Sequence, residues 1–131
     1  MSAKDESTVR VSQRTYDLVR NYVEYMQSQD NKVKSDDDRI FTLLAKEVRI
    51  SDFITVLGYI KHFIPNIPKN PENQYLFLRD TTANYLYVYC FIRGYRNLNE
   101  GIYHLIEKAM NDIQRQIFKN EYAEVMKQHA K

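Results

Sequence analysis

Two short segments with a two-residue alternation constrain the fold of this chain more than any other feature. Segments 7–12 (STVRVS) and 74–79 (QYLFLR) each place aliphatic residues at every second position. A period of two is typical of a strand with one buried face. Each segment leads directly into one helical pattern and then into a second. The order strand, helix, helix therefore occurs twice, and it predicts a mainly α fold with two short strands.

The first half opens with a strand that Ser12 ends, because Ser is a good helix N-cap. The helix that follows carries an apolar stripe of Tyr16, Val19, Val23 and Met26. Ser35 then precedes three aspartates, and acidic residues are favoured at the positive end of a helix dipole. We expect the second helix of this half to begin there and to end before residue 50.

The second half repeats the order. Asp80 or Thr81 is the expected cap of its first helix, and Gly94 is the expected end. Asn97 and Glu100 have the spacing of a capping box, with Asn in place of Ser or Thr. A long last helix with apolar residues up to Met126 should begin at this box.

Three prolines mark the boundary between the halves. Pro65, Pro68 and Pro71 lie in PNIPKNPEN, which cannot be helical, and a short helix capped by Ser51 and Asp52 is expected before it. We therefore divide the chain into a unit over 1–50, a connection over 51–72 and a unit over 73–131. A diverged duplication explains the repeated order, and chance agreement of two short amphipathic patterns is the alternative.

Composition limits the classes of function without choosing one. The formal net charge of +2 permits DNA binding but does not require it. A single cysteine, Cys90, excludes an internal disulfide and a multi-thiolate metal site. No apolar run approaches a membrane span and no signal-peptide pattern opens the chain, so a cytoplasmic location is expected.

Residue types that carry catalysis are scattered. His62, His104 and His129 share no metal-ligand spacing, and the three glycines form no phosphate-binding loop. The aspartates 36–38 point in different directions from one helical turn, so dipole complementarity explains them better than a cation site. We predict no enzymatic activity, no cofactor, no metal and no small-molecule substrate.

Two segments carry a resemblance to a known family. TVRVSQRTYDLVRNYV resembles the strand and first helix of ribbon-helix-helix DNA-binding proteins, and NLNEGIYHLIEKAM is similar to their second helix. Two copies in one chain look like the tandem arrangement of transcription regulators from archaeal viruses. In the family, two strands pair and the ribbon enters the major groove. The resemblance implies a mainly α, single-chain pseudo-dimer that binds double-stranded DNA. In it, segments 7–12 and 74–79 would pair as a short two-stranded antiparallel β-ribbon.

The resemblance also implies which side chains contact bases. Thr8 and Arg10 would read bases from the first strand, and Tyr75, Phe77 and Arg79 are their counterparts on the second. The two aromatic residues depart from the usual polar pattern. They would read thymine methyl groups or the shape of the DNA, or they would instead pack against another subunit.

Phosphates in the family bind at the start of each second helix, where unpaired N–H groups attract an anion. The corresponding residues are Lys34 and Ser35 in the first half and Arg96 and Asn97 in the second. Because three aspartates follow Ser35, the second half is the better candidate clamp.

The leading hypothesis is a DNA-binding transcriptional regulator, most simply a repressor. A protein-interaction module, either antitoxin-like or a viral structural adaptor, is the alternative. The modest charge, the aromatic second strand and the long last helix favour that alternative. The last helix extends past Asp112, beyond the family's minimal unit, and would serve self-association, including assembly along DNA, or fold back over the middle helix.

Overall fold

Seven regular elements make up the part of the chain that the computed structural model describes, which is residues 6–30, 32–60 and 64–129. In chain order they are β1 (Glu6–Val11), α1 (Gln13–Asp30), α2 (Asp36–Glu47), α3 (Ile50–Ile60), β2 (Gln74–Arg79), α4 (Asp80–Arg93) and α5 (Leu98–His129). The prediction of a mainly helical fold with a short two-stranded antiparallel sheet is confirmed.

The two strands pair with each other across the whole length of the ribbon. Val9 lies opposite Leu76, Thr8 opposite Phe77 and Glu6 opposite Arg79. Residues 9, 11, 76 and 78 form the inner face, and none of them is more than 2% exposed. The alternation in the sequence therefore marks the buried face correctly, and the first strand begins and ends one residue earlier than predicted.

The helices form a layer beneath this inner face, and each half places its helices against those of the other. α1 packs on α5, and α4 packs on α2. Both second helices also touch the strand of the opposite half, α5 touching β1 and α2 touching β2. α3 lies outside this exchange and packs on α4, where Phe53 stacks on Tyr85 with ring centroids 4.1 Å apart.

Reciprocal hydrogen bonds join the strand ends to the second helices. The backbone N–H of Ser12, just after β1, donates to Oδ1 of Asn99 at 2.8 Å. The backbone N–H of Arg79, at the end of β2, donates to Oδ1 of Asp37, also at 2.8 Å. Asn99 and Asp37 are each the second residue of their helix. The same contact is therefore made twice, once in each direction between the halves.

A second pair of contacts follows the same rule. The hydroxyl of Ser7 donates to Oδ1 of Asp80 at 2.9 Å, and Nε2 of Gln74 donates to Oε1 of Gln13 at 3.0 Å. Each pair joins the start of one strand to the start of the opposite half's first helix. Val9 and Leu76 occupy corresponding positions in the two halves, and they also lie opposite each other in the ribbon. The point between them is therefore the centre about which the two halves are related.

Most of the predicted helix ends are confirmed. Oγ of Ser35 accepts from the N–H of Asp38 at 3.1 Å, and Oδ1 of Asn97 accepts from the N–H of Glu100 at 2.8 Å. Gly94 ends α4 with a φ of 74°, in the left-handed region that glycine tolerates best.

Two local predictions are wrong. Asp80 and Thr81 lie inside α4, whose N-cap is Arg79 without a side-chain cap bond, because the strand passes directly into the helix. α3 begins at Ile50, before the expected cap at Ser51 and Asp52. The predicted apolar stripe of α1, in contrast, does face the core: Val19 is buried, and Tyr16, Val23 and Met26 are partly buried against it.

Candidate functional site

The outer face of the ribbon carries four of the five predicted base-contacting residues in exposed positions. Thr8 and Arg79 are exposed, and the rings of Tyr75 and Phe77 are 44% and 64% exposed. Thr8 faces Phe77 across the two strands, and Arg10 faces Tyr75. The ribbon therefore brings these side chains together on one surface that is supported from below by the apolar inner face.

Arg10 differs from the other four residues because it is hydrogen-bonded to the linker, which is the connection over 51–72. Its Nη1 donates to the carbonyl of Ile67 at 2.5 Å, and its backbone N–H donates to Oδ1 of Asn66 at 2.8 Å. Its Nε is buried and makes no hydrogen bond within the described part of the chain. Linker residues therefore cover the edge of β1 that does not pair with β2, and a base contact by Arg10 would compete with Ile67. No pattern in the sequence marks this contact.

The backbone of Arg79 is held by a hydrogen bond, whereas its guanidinium is exposed and only weakly paired. The backbone N–H is held by Asp37, whereas the side chain is 74% exposed and its Nε lies 3.9 Å from the same carboxylate. An ion pair at that distance and exposure contributes little to stability. The guanidinium can therefore leave Asp37 for another anion while the strand stays in place.

The start of α2 holds Lys34 and Ser35, both exposed, beside the three aspartates. Asp36 forms an ion pair with Arg20, and this hydrogen-bonded pair raises the pKa of Arg20 above its usual value. Ser35 already accepts from the N–H of Asp38. The carboxylates of Asp36 and Asp37 thus have partners inside the protein, but the negative charge of the three aspartates still opposes a phosphate at this helix start.

The start of α5 holds the exposed Arg96 and the half-buried Asn97. The N–H of Leu98 donates to the carbonyl of Pro65 at 2.9 Å, and the N–H of Glu100 is bound by Asn97. Two of the first backbone donors are therefore occupied. A phosphate here would rely on side chains more than the sequence suggested.

A polar cleft of about 240 Å³ adjoins this helix start. It is lined by Ser12, Arg14, Thr15, Asn97, Asn99, Glu100 and Tyr103. Nη2 of Arg14 donates to the hydroxyl of Tyr103 at 2.7 Å, and its guanidinium lies 4.8 Å from the centre of that ring. Sequence reasoning missed Arg14. Its place two residues after a helix cap was visible, but its neighbours come from α5.

The two helix starts lie at opposite ends of the ribbon. Antiparallel strands end at opposite ends, and each strand end is bound by the second residue of one helix, Asn99 or Asp37. A ribbon of six residues is roughly 20 Å long. Arg96 and Asn97 are thus placed near one end of the exposed face, and Lys34 and Ser35 near the other.

Neither a metal-binding cluster nor a membrane span is found in the part of the chain that is described. No three His, Cys, Asp or Glu side chains there are grouped to hold a metal ion, and no helix there is both long and apolar enough to cross a membrane. His62, one of the three histidines, lies outside the described residues.

Comparisons with known proteins found no protein-family model, no curated protein and no solved structure that matches this chain.

Proposed function

We propose that this protein is a double-stranded DNA-binding transcriptional regulator, acting as a repressor, that inserts its β-ribbon into the major groove. The observation that carries the proposal is the exposed outer face of an intramolecular ribbon, with a helix start bound at each of its ends. The major groove, about 12 Å wide, admits a two-stranded ribbon.

The reciprocal contacts between the halves support a tandem ribbon-helix-helix pseudo-dimer. Strand pairing, exchanged helix packing and matched hydrogen bonds all relate the halves by the same correspondence. A dimer of separate chains would make each of these contacts twice by symmetry. A single chain with two copies of the unit makes these contacts with two different sets of residues. The two ends of the ribbon therefore carry different side chains.

Each exposed residue of the ribbon has a chemistry that suits a groove. Thr8 can contact a base edge or a thymine methyl group, and the rings of Tyr75 and Phe77 can contact methyl groups. Arg79 can bind a base or a phosphate, since only a weak ion pair holds its tip. Arg10 contributes through the linker, by keeping the edge of β1 covered.

Phosphate contacts would supply most of the affinity and its dependence on salt. At the α5 end they would come from the side chains of Arg96, Asn97 and Arg14. At the α2 end Lys34 and Ser35 are opposed by neighbouring acids, so we assign that end the weaker role.

The test compares Arg79→Ala with the matched control Arg115→Ala. Both arginines are largely exposed and pair with one aspartate, but Arg115 lies on the distal part of α5. Fluorescence anisotropy with a duplex selected from a random pool, at about 100 mM salt, measures binding. Loss of the Arg79 contact should weaken binding by roughly 1–3 kcal/mol, or about five- to 150-fold, and the control should bind as the parent does.

Phe77→Ala separates base contact from charge. It should weaken binding to the selected duplex while leaving the slope of affinity against salt unchanged, because no charge is removed. Equal binding by the parent, Arg79→Ala and Phe77→Ala would remove the ribbon from the mechanism.

A protein-interaction module is the second candidate, and the exposure of the Phe77 ring favours it. An aromatic ring that is 64% exposed at the centre of a surface is a common anchor for a protein partner. Absence of any binding to duplex DNA or heparin at low salt, together with a stoichiometric protein complex abolished by Phe77→Ala, would favour this candidate over the first.

A further inference from the structure

The distal part of α5 carries an apolar stripe that nothing in the described chain covers. Phe118, Tyr122, Val125 and Met126 are 67%, 58%, 49% and 49% exposed. The rings of Phe118 and Tyr122 lie parallel to within 18°, with centroids 6.4 Å apart, so that they form one continuous surface. We call these four residues the distal stripe.

The body of the protein cannot cover the distal stripe without a break in α5. Buried residues of this helix, such as Ile102, Leu105 and Ile106, mark the side that faces the body. At 100° per residue, the distal stripe lies roughly 150° around the axis from that side. Residues 111–129 are all helical and extend roughly 28 Å, with only Ile113 less than largely exposed. The stripe therefore needs a partner.

We propose that the partner is a second copy of the chain, paired antiparallel with the first along the distal stripe. Charge is the first argument. Residues 111–129 carry three acidic and three basic side chains, and so have no net charge with histidine neutral. DNA or an anionic membrane would select an excess of basic residues. A balanced set suits a copy of itself.

Area is the second argument. With aromatic side chains of roughly 150–250 Å² each, the exposed parts of the distal stripe amount to about 400 Å² per chain. Two copies with their flanking side chains would bury about 1,000 Å², which is the lower limit for a specific interface. Interfaces at this limit are typical of weak or transient association, so we expect a reversible dimer whose population rises with concentration.

The order of charges selects one register. Phe118, Tyr122, Val125 and His129 follow the alternating four- and three-residue spacing of a helical seam. Tyr122 opposite Val125 of the second copy gives four layers, with Phe118 opposite His129 at the ends. In the neighbouring register, Tyr122 of one copy lies opposite Phe118 of the other. The two copies of Glu121 then lie side by side along one flank of the seam, and the two copies of Lys119 lie side by side along the other flank. Like charges disfavour it.

The pairing is tested first by molar mass in solution. Sedimentation or light scattering of the full chain should show a rise from 15.7 kDa toward twice that mass with concentration. Tyr122→Glu with Val125→Glu should remain at the monomer mass. The matched control is Asn120→Glu with Ala123→Glu, which adds the same charges at the same spacing on the opposite side of the helix and should dimerise less than twofold more weakly. Circular dichroism confirms that both variants stay helical.

The register is tested by disulfide formation between two differently tagged chains. Tyr122→Cys mixed with Val125→Cys should give a mixed dimer several times faster than Tyr122→Cys mixed with Phe118→Cys. Cys90 does not interfere, because it is fully buried and burial raises the pKa of its thiol to about 12.

Three outcomes would each overturn the proposal. They are a parent chain that stays monomeric, a dimer that persists in the variant with two glutamates, and faster disulfide formation between two Tyr122→Cys chains than between the mixed chains. DNA binding by the ribbon is a separate measurement, so failure of either proposal is distinguishable from failure of the other.

Discussion

Replacement of Gly101 by alanine should destabilise the protein, although alanine is the better helix former. Gly101 lies buried in the first turn of α5, where the helix crosses α4. A Cβ atom there would lie far inside van der Waals distance of Sγ of Cys90, and 3.4 Å from Cδ1 of Leu86. The side chain of Cys90 therefore fills the space that a side chain on residue 101 would need.

The magnitude follows from two opposing effects. Forcing a methyl group into a packed core costs roughly 1–3 kcal/mol, and the buried Sγ has few other rotamers within a helix. Replacing a helical glycine by alanine gains about 1 kcal/mol. Because the clash is with a fully buried atom, we take the upper cost and expect a net loss of about 2 kcal/mol.

A second substitution makes the explanation specific. Cys90→Ala alone removes one buried atom and should cost about 1 kcal/mol. Added to Gly101→Ala it makes room for the new Cβ and removes the clash, so the double variant should be about 3 kcal/mol more stable than the sum of the single changes predicts.

Urea unfolding followed by circular dichroism measures all four proteins, with an unchanged slope showing that only stability differs. Gly101→Ala as stable as the parent, or a double variant that shows simple additivity, would refute the close approach of α4 and α5.

Two further predictions concern contacts that hold the halves together. Asn99→Ala leaves the N–H of Ser12 without its acceptor and should cost about 1 kcal/mol in urea unfolding, whereas unchanged stability would mean that water replaces the amide at no cost. Hydrogen bonds from the buried Arg39 hold the pKa of Asp30 below its usual value. The stability from this pair should be fully present above a pH of about 4 and lost as the pH falls through the lowered pKa. Asp30→Asn should flatten that acid dependence of the melting temperature, and an acid profile identical to that of the parent would contradict the assignment.

The ribbon and the order of helices could be predicted because each depends on local patterns. A two-residue period identifies the buried face whichever partner covers it, and the capping residues Ser35 and Asn97 act on backbone groups only three residues away. The strand pairing followed from the family resemblance that the repeated order of elements suggested.

The surroundings of the site could not be predicted, because they depend on contacts between distant segments. Arg10 belongs to an exposed face by its alternation, yet Asn66 and Ile67 hold it, and their sequence carries no signal for that contact. Arg14 lies near Asn97 only because α1 crosses to α5. The hydrogen bond from the backbone N–H of Arg79 to Asp37 could not be predicted for the same reason, since it joins the two halves.

The exchange of helices between the halves has a consequence for synthesis on the ribosome. β1 has no strand to pair with until residue 79 has emerged, and α1 packs on a helix that begins at Leu98. The first fifty residues thus leave the exit tunnel with their apolar faces uncovered. Folding has to wait until the buried part of α5 is made, and a premature stop before Leu98 releases a fragment without the helix on which α1 packs.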